Sequence, residues 1–202
     1  MKIPDKINTR KKLEIFAMQL GLQTLGANVG KLDGSDGPIT QRALHTTWNK
    51  HTQAGDLPKY AELAYSHLGE KEVPGAKSNP LILKWIKSVF SWGTDDGKIA
   101  WCAIFINVMM EQAGITGTGK ANARSFLDWG TKVTSPRRGD IVIFSRGDPN
   151  GWRGHVAIYW DDANDGSILV LGGNQRDAVS IAKYSTNRLL GYRRATSNGE
   201  SN

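Results

Sequence analysis

A single cysteine in 202 residues excludes an internal disulfide, and with it the class of small secreted domains held by disulfide frameworks. Long apolar runs are also missing. The longest, Ile99 to Met110, falls short of the ~20 residues that a spanning helix needs. The first residues, Met1 to Lys12, are charged and hold no apolar stretch of the kind a Sec-type signal uses. No internal repeat or low-complexity tract is present, apart from a polar stretch after Ala195 that reads as a disordered tail over 196–202. A basic helix, a zinc-ligand spacing and an RNA-binding aromatic motif are absent too, so nucleic acid is not an expected partner. The expectation from these absences is a monomer made and folded in a reducing cytoplasm, with no membrane insertion and no export signal of its own.

Acidic residues are the scarcer charge: 19 Asp and Glu against 26 Lys and Arg leave a net charge of +7. The cations are dispersed, as in Arg10-Lys11-Lys12, Arg137-Arg138 and Arg193-Arg194. This pattern is read either as solubility or as attraction to a polyanion, of which a bacterial wall with its anionic polymers is one.

The chain is long enough for one ordinary domain and a small one. Residues 1–50 read as a small helical unit. Leu13, Phe16, Ala17 and Leu20 form one apolar stripe, and a second helix runs from Thr40 through Trp48 behind Pro38. Between them, Gly30 to Pro38 is rich in Asp and Gly but lacks the alternating ligands and closing glutamate of a calcium loop, so it is read as turns. Residues 51–57 read as a linker. Pro58 then opens a helix with Tyr60, Leu63, Ala64 and Leu68 on one face, and Asn79-Pro80 opens another with Ile82, Trp85, Ile86 and Phe90.

After Pro136 the hydrophobic period changes to that of strands. Five are expected: Asp140–Phe144, His155–Trp160, Ser167–Leu171, Ala178–Ala182 and Leu189–Arg194. Helices followed by an antiparallel sheet make an α+β layout. The Asp161, Asp162, Asn164 and Asp165 cluster falls in a hairpin connection and is read as turn residues. No metal or other cofactor is expected.

Cys102 lies near the start of an apolar helix, with Asp95, Asp96 and Gly97 ahead of it as caps and Gly114 behind it as a stop. Two readings are open. Cys102, Phe105, Ile106, Met109 and Ala113 share a helix face, so the cysteine can be an ordinary core residue. A thiol at a helix N-terminus also feels the positive end of the backbone dipole, which favours the nucleophilic thiolate. His155 begins the second strand and shares a face with Ala157 and Tyr159. It is either an edge residue or a base. A hairpin symmetric about Asp161–Gly166 places His155 opposite about Gly172, with Asn174 as its neighbour and Gln175 as the fallback if the register slips by one. An amide accepting from the imidazole would fix its tautomer, the third part of a Cys-His-Asn triad.

Two resemblances give these residues a context. Leu22-Gln23, Leu25-Gly26, Leu32-Asp33-Gly34, Gly37-Pro38 and Thr40 through Leu44 resemble the peptidoglycan-binding domain of cell-wall hydrolases, which implies wall contact through Asp33, Gly34 and Trp48. Trp101-Cys102-Ala103, Arg138-Gly139-Asp140-Ile141-Val142, Gly154-His155-Val156-Ala157-Ile158 and Gly172-Gly173-Asn174-Gln175 resemble the papain-like cell-wall amidases and peptidases of the CHAP and NlpC type. Lys71 to Gly75, Asn79-Pro80 and Ala113 to Gly119 resemble a phage-associated branch of that group. The resemblance implies a papain-like domain over 58–195, with Cys102 as nucleophile, His155 as base and Asn174 as orienting residue. Trp101, Gln175 and Glu72 are assigned to substrate contact. The implied activity is peptidoglycan hydrolysis at an amide in or next to the stem peptide, as a phage endolysin or an effector injected into a rival cell. A wall-binding protein without chemistry is a second class, and an acyltransferase or thioesterase on the same fold is a third.

Overall fold

The computed structural model describes residues 7, 9–24, 26–52, 57–73, 78–92, 95–163 and 165–196. They form α1 (Arg10–Thr24), α2 (Pro38–Thr52), α3 (Lys59–Ser66), α4 (Pro80–Val89) and α5 (Cys102–Gln112). The strands follow: β1 (Thr131–Val133), β2 (Ile141–Ser145), β3 (Gly154–Asp162), β4 (Ser167–Gly172), β5 (Ser180–Ser185) and β6 (Leu189–Arg194). The layout is α+β, and the chain divides into two compact units, Met1–Asp56 and Leu57–Asn202. Helix α2 runs on through Thr52, two residues into the expected linker. Residues 53–56 and 197–202, most of that linker and most of the expected tail, lie outside the described residues.

In the first unit the buried face of α1 is Phe16, Gln19 and Leu22, and Leu13 is 45% exposed. The face is rotated from the expected stripe because a polar side chain, Gln19, organises the turn segment. Its Oε1 accepts from the backbone N–H of Asp33 (3.2 Å) and Gly34 (3.0 Å), and its Nε2 donates to Thr40 Oγ1 (2.9 Å) and the Ser35 carbonyl (3.2 Å). A buried amide with every hydrogen bond made is tolerated in place of an apolar residue.

In the second unit α5 is the centre. Every residue from Cys102 to Met110 is buried, where one apolar face was expected. Helices α3 and α4 cover it on the sides that β3 does not. Its start is not capped by Asp95, Asp96 or Gly97. Trp101 occupies the N-cap position with no side-chain cap. Asp96 instead accepts from the backbone N–H of Asn79 at 2.8 Å, and Asp95 accepts from its own turn at Gly97 and pairs with Lys98. Gly114 does end the helix, in the left-handed conformation (φ 73°), with the Ile115 N–H returning to the Met110 carbonyl at 2.9 Å. Helix α4 starts as its sequence indicates, with Asn79 Oδ1 accepting from the Leu81 N–H at 2.9 Å and Pro80 in the first turn.

The sheet is antiparallel, in the order β1-β6-β2-β3-β4-β5. The strand beyond the expected five is β1, a three-residue edge strand paired only with β6, too short and polar to show alternation. Along β3, Val156, Ile158 and Trp160 face the helical core, whereas Ala157 and Tyr159 join Val142, Phe144, Ile168 and Val170 on the other side. The Arg138-Gly139-Asp140 turn ahead of β2 is structural: Gly139 has φ 102°, and Asp140 accepts from both Nε and Nη2 of Arg194 at 2.8 and 2.7 Å.

Candidate active site

Helix α5 begins at Cys102, which puts the thiol where the first-turn N–H groups have no helical partner. Backbone N–H groups of Val156, Ala103 and Cys102 itself act on the sulfur and favour thiolate, as does the charge of Arg146. Burial is the larger influence and pushes the thiol up from its ordinary value. The side chain is 3% exposed. Burial therefore outweighs the groups that favour thiolate.

The contact with Val156 ties the sulfur to the strand residue after His155. The imidazole is fully buried. It stacks under the Tyr184 ring of β5, centroids 5.0 Å apart and nearly parallel. Tyr184 in turn meets Phe144, hydrogen-bonds Arg146 and lies under the Arg188 guanidinium. The histidine is pulled down to about 4, first by burial and then by Arg146, so it rests neutral.

Which ring nitrogen carries the proton follows from Gln175. Its Nε2 donates to the Ser180 carbonyl at 2.6 Å, with Ser180 Oγ (3.3 Å) and the Val170 carbonyl (3.4 Å) nearby. Its Oε1 is thereby turned to His155 Nε2 at 3.1 Å. An amide oxygen only accepts, so Nε2 bears the hydrogen and Nδ1 carries the lone pair. Nδ1 is buried and is the one described buried side-chain polar atom without a hydrogen-bond partner. An unpaired buried acceptor is costly; it is also what a general base needs.

The amide at the ring is thus Gln175, not Asn174. Two features move it. The β3–β4 ladder sets Ile158 opposite Leu171, two residues beyond its partner in the symmetric hairpin, and β4 ends at Gly172. The chain then takes left-handed backbone at three residues, Asn174 (φ 55°), Arg176 (φ 53°) and Asp177 (φ 63°). Such conformations cost energy in non-glycine residues and concentrate at functional sites. Segment 69–72 clamps this turn through Gly69 N–H to the Val179 carbonyl, Val179 N–H to Glu70 and Glu72 N–H to Asp177. Asn174 is swung away and donates to Glu72 Oε1 at 3.3 Å. The Gly172-Gly173 pair lets the backbone pass: a Cβ on Gly173 would strike the Trp101 ring, and one on Gly172 would lie 2.9 Å from Ala157 Cβ.

Trp101 and Gln175, assigned to substrate contact, are buried. Trp101 is core, with its indole N–H donating to Glu72 Oε1 at 2.7 Å. Gln175 orients the histidine. Glu72 is half-buried, braced by Trp101 and Asn174, and raised by burial above the usual carboxylate range. In the other unit, Asp33 accepts from the Ser35 N–H at 2.9 Å, and the Lys12 carbonyl crowds Gly34 where a Cβ would stand, so both shape the turn. The side chain of Trp48 lies outside the described residues. Sequence reasoning missed Tyr184, Arg146 and Arg188, which act on His155, and Arg176, which lines the same cleft.

Residues 93–174 match the CHAP domain family, a span that takes in Cys102 and His155 and ends at Asn174. Over these residues the chain is similar to a CHAP domain. Families of this kind are of the peptidoglycan hydrolase type, typically cysteine amidases or peptidases. The solved structure of an NLP/P60-family protein from Staphylococcus aureus, described as similar to lipoprotein, is similar at 19% identity and a TM-score of 0.46. The match covers 79% of this chain and 49% of that one, so the chain spans about half the length of that protein. No functionally curated protein matches the chain.

No helix among the described residues is long and apolar enough to cross a membrane. Among the described residues no group of three or more His, Cys, Asp or Glu is placed to hold a metal ion. The hairpin acids have other partners: Asp161 pairs with Arg138, Asp162 accepts from the Tyr159 hydroxyl, and Asp165 pairs with Lys183.

The buried neutral histidine has a consequence for stability. Its contribution is fully present above the ordinary histidine value near 6.5 and is lost as pH falls to about 4, because the unfolded chain takes up the proton first. At ~1.4 kcal/mol per pH unit the loss across that window is about 3 kcal/mol. Denaturant unfolding at pH 7 and pH 4.5 is expected to show it in wild type, with a flatter dependence in His155→Gln.

Proposed function

We propose that this chain is a cysteine-dependent peptidoglycan amidase or endopeptidase. The observation that supports it best is the single open lone pair on buried His155 Nδ1, held by Gln175 on the strand whose next N–H contacts the Cys102 sulfur. In this reading Nδ1 takes the thiol proton as sulfur attacks the amide carbonyl. Gln175 Oε1 holds the ring and steadies the imidazolium. The N–H groups at the start of α5 face the developing oxyanion. His155 returns the proton to the leaving amine, and water then cleaves the thioester with the same base. Burial favours the neutral forms of both the thiol and the imidazole, so the base is free to take the thiol proton.

The N-terminal unit is proposed to engage the wall. Asp33 and Gly34 would serve that by the shape of their turn, since the Asp33 carboxylate and the Gly34 N–H already have partners within the unit. We place the protein as a monomer acting on the wall in the lytic setting that the resemblance implies. The test is digestion of purified peptidoglycan with mass spectrometry of the soluble products. Fragments carrying one added water and a new amine are expected, and the masses name the bond. New reducing sugar ends without new amines would assign the chain to glycan cleavage instead.

A further inference from the structure

His155 and Gln175 line a cleft of about 720 Å³, room for a few residues of an extended peptide. Four cations line the same cleft, Arg146, Arg176, Lys183 and Arg188, and no Asp or Glu does. Lys183 is neutralised by Asp165 at 3.0 Å. The three arginines make no ion pair among the described residues. Arg146 hydrogen-bonds the Tyr184 hydroxyl, Arg188 lies 5.8 Å over the Tyr184 ring, and Arg176 is held in left-handed backbone one residue after Gln175.

Three uncompensated guanidiniums around one concave wall focus positive potential on it. Their planar forks suit carboxylates, which they can grip with two hydrogen bonds. Because they share the cleft with the histidine, of which Cys102 is not a wall, the anion they read belongs to a substrate that reaches the amide under attack from the base's side. In a stem peptide the anionic groups are carboxylates. Building on the amide-hydrolase reading above, we propose that Arg146, Arg176 and Arg188 form a carboxylate-reading rim, and that the chain selects stem peptides with free carboxylates beside the scissile amide over the same stems with those carboxylates amidated. Arg146 has a second effect, since its charge favours thiolate at Cys102. It ties anion recognition to the reacting thiol.

The test uses the full-length chain and two synthetic stem peptides of one sequence, one with free carboxylates and one with carboxamides. kcat/KM on the free acid is expected to be at least about tenfold higher in wild type, with the ratio shrinking as salt is raised. The double variant Arg176→Gln/Arg188→Gln is expected to bring the two substrates within a few-fold, mainly by losing rate on the acid. A loss of fold would lower both rates together and leave the ratio alone, so the ratio reports recognition. Equal wild-type rates, or a preference for the amidated stem, overturn the rim while leaving the hydrolase reading intact. Cleavage of neither peptide, with no cleavage of whole peptidoglycan, overturns both.

Discussion

Cys102→Ala is expected to keep its fold and to lose peptidoglycan hydrolysis by a factor of about 10⁴ or more. Removing a nucleophile leaves only whatever binding and oxyanion stabilisation can do, and such losses in covalent catalysis are of that order. The fold survives because the change removes one sulfur from a site that Trp101, Phe105 and Val156 continue to fill. A single small cavity of that size costs about 1 kcal/mol. Thermal unfolding checks the fold, and release of soluble fragments checks the activity. His155→Ala is expected to be as inactive, because the thiol, whose neutral form burial favours, then has no base.

The second large effect separates two neighbouring amides. Gln175→Leu is expected to lower kcat by about 10²- to 10⁴-fold, whereas Asn174→Ala changes it by no more than a few-fold. Leucine cannot accept from His155 Nε2, so the tautomer with its lone pair on Nδ1 is no longer favoured, and the imidazolium loses its partner. It also strands the Ser180 carbonyl that Gln175 Nε2 serves. Two orphaned buried groups cost about 2–4 kcal/mol together, so the variant is also expected to melt earlier. Asn174 loses only its bond to Glu72, which Trp101 still holds. Steady-state kinetics on one soluble muropeptide, with melting curves alongside, checks both. Equal losses in the two variants would return the orienting role to Asn174.

The contrast between these two residues also marks where sequence stops being informative. The face of His155 was legible, because successive β3 side chains go to opposite sides of the sheet whatever their burial. So were the Asn79-Pro80 helix start and the Gly114 stop. The partner of the ring was not, because it depends on a β3–β4 register two residues from the symmetric one and on three left-handed residues, a conformation that Asn and Asp tolerate but that nothing local assigns to Arg176. Asp95 and Asp96 look like caps for α5 in sequence, yet the Asp96 carboxylate serves the start of α4, and Asp95 its own turn. Gln19 hides in an amphipathic pattern because a buried amide counts as polar until its partners are known. Trp101 reads as a cleft wall beside a cysteine, but its indole N–H reaches Glu72, 29 positions away in sequence. The cationic rim is scattered over the β2–β3 connection, the turn after β4 and the turn before β6, so composition shows only a surplus of arginine and lysine.

In the proposed mechanism the Cys102 sulfur itself does the chemistry, and the chain's having one cysteine makes that directly measurable. Wild type is treated with methyl methanethiosulfonate, labelling is followed by intact mass, and peptidoglycan hydrolysis is assayed on the same samples before and after reduction. One label per chain is expected, with activity that falls in proportion to the labelled fraction and recovers fully when the label is reduced away. Fully labelled protein that still released peptidoglycan fragments at the wild-type rate would contradict it and leave Cys102 as a residue of the core.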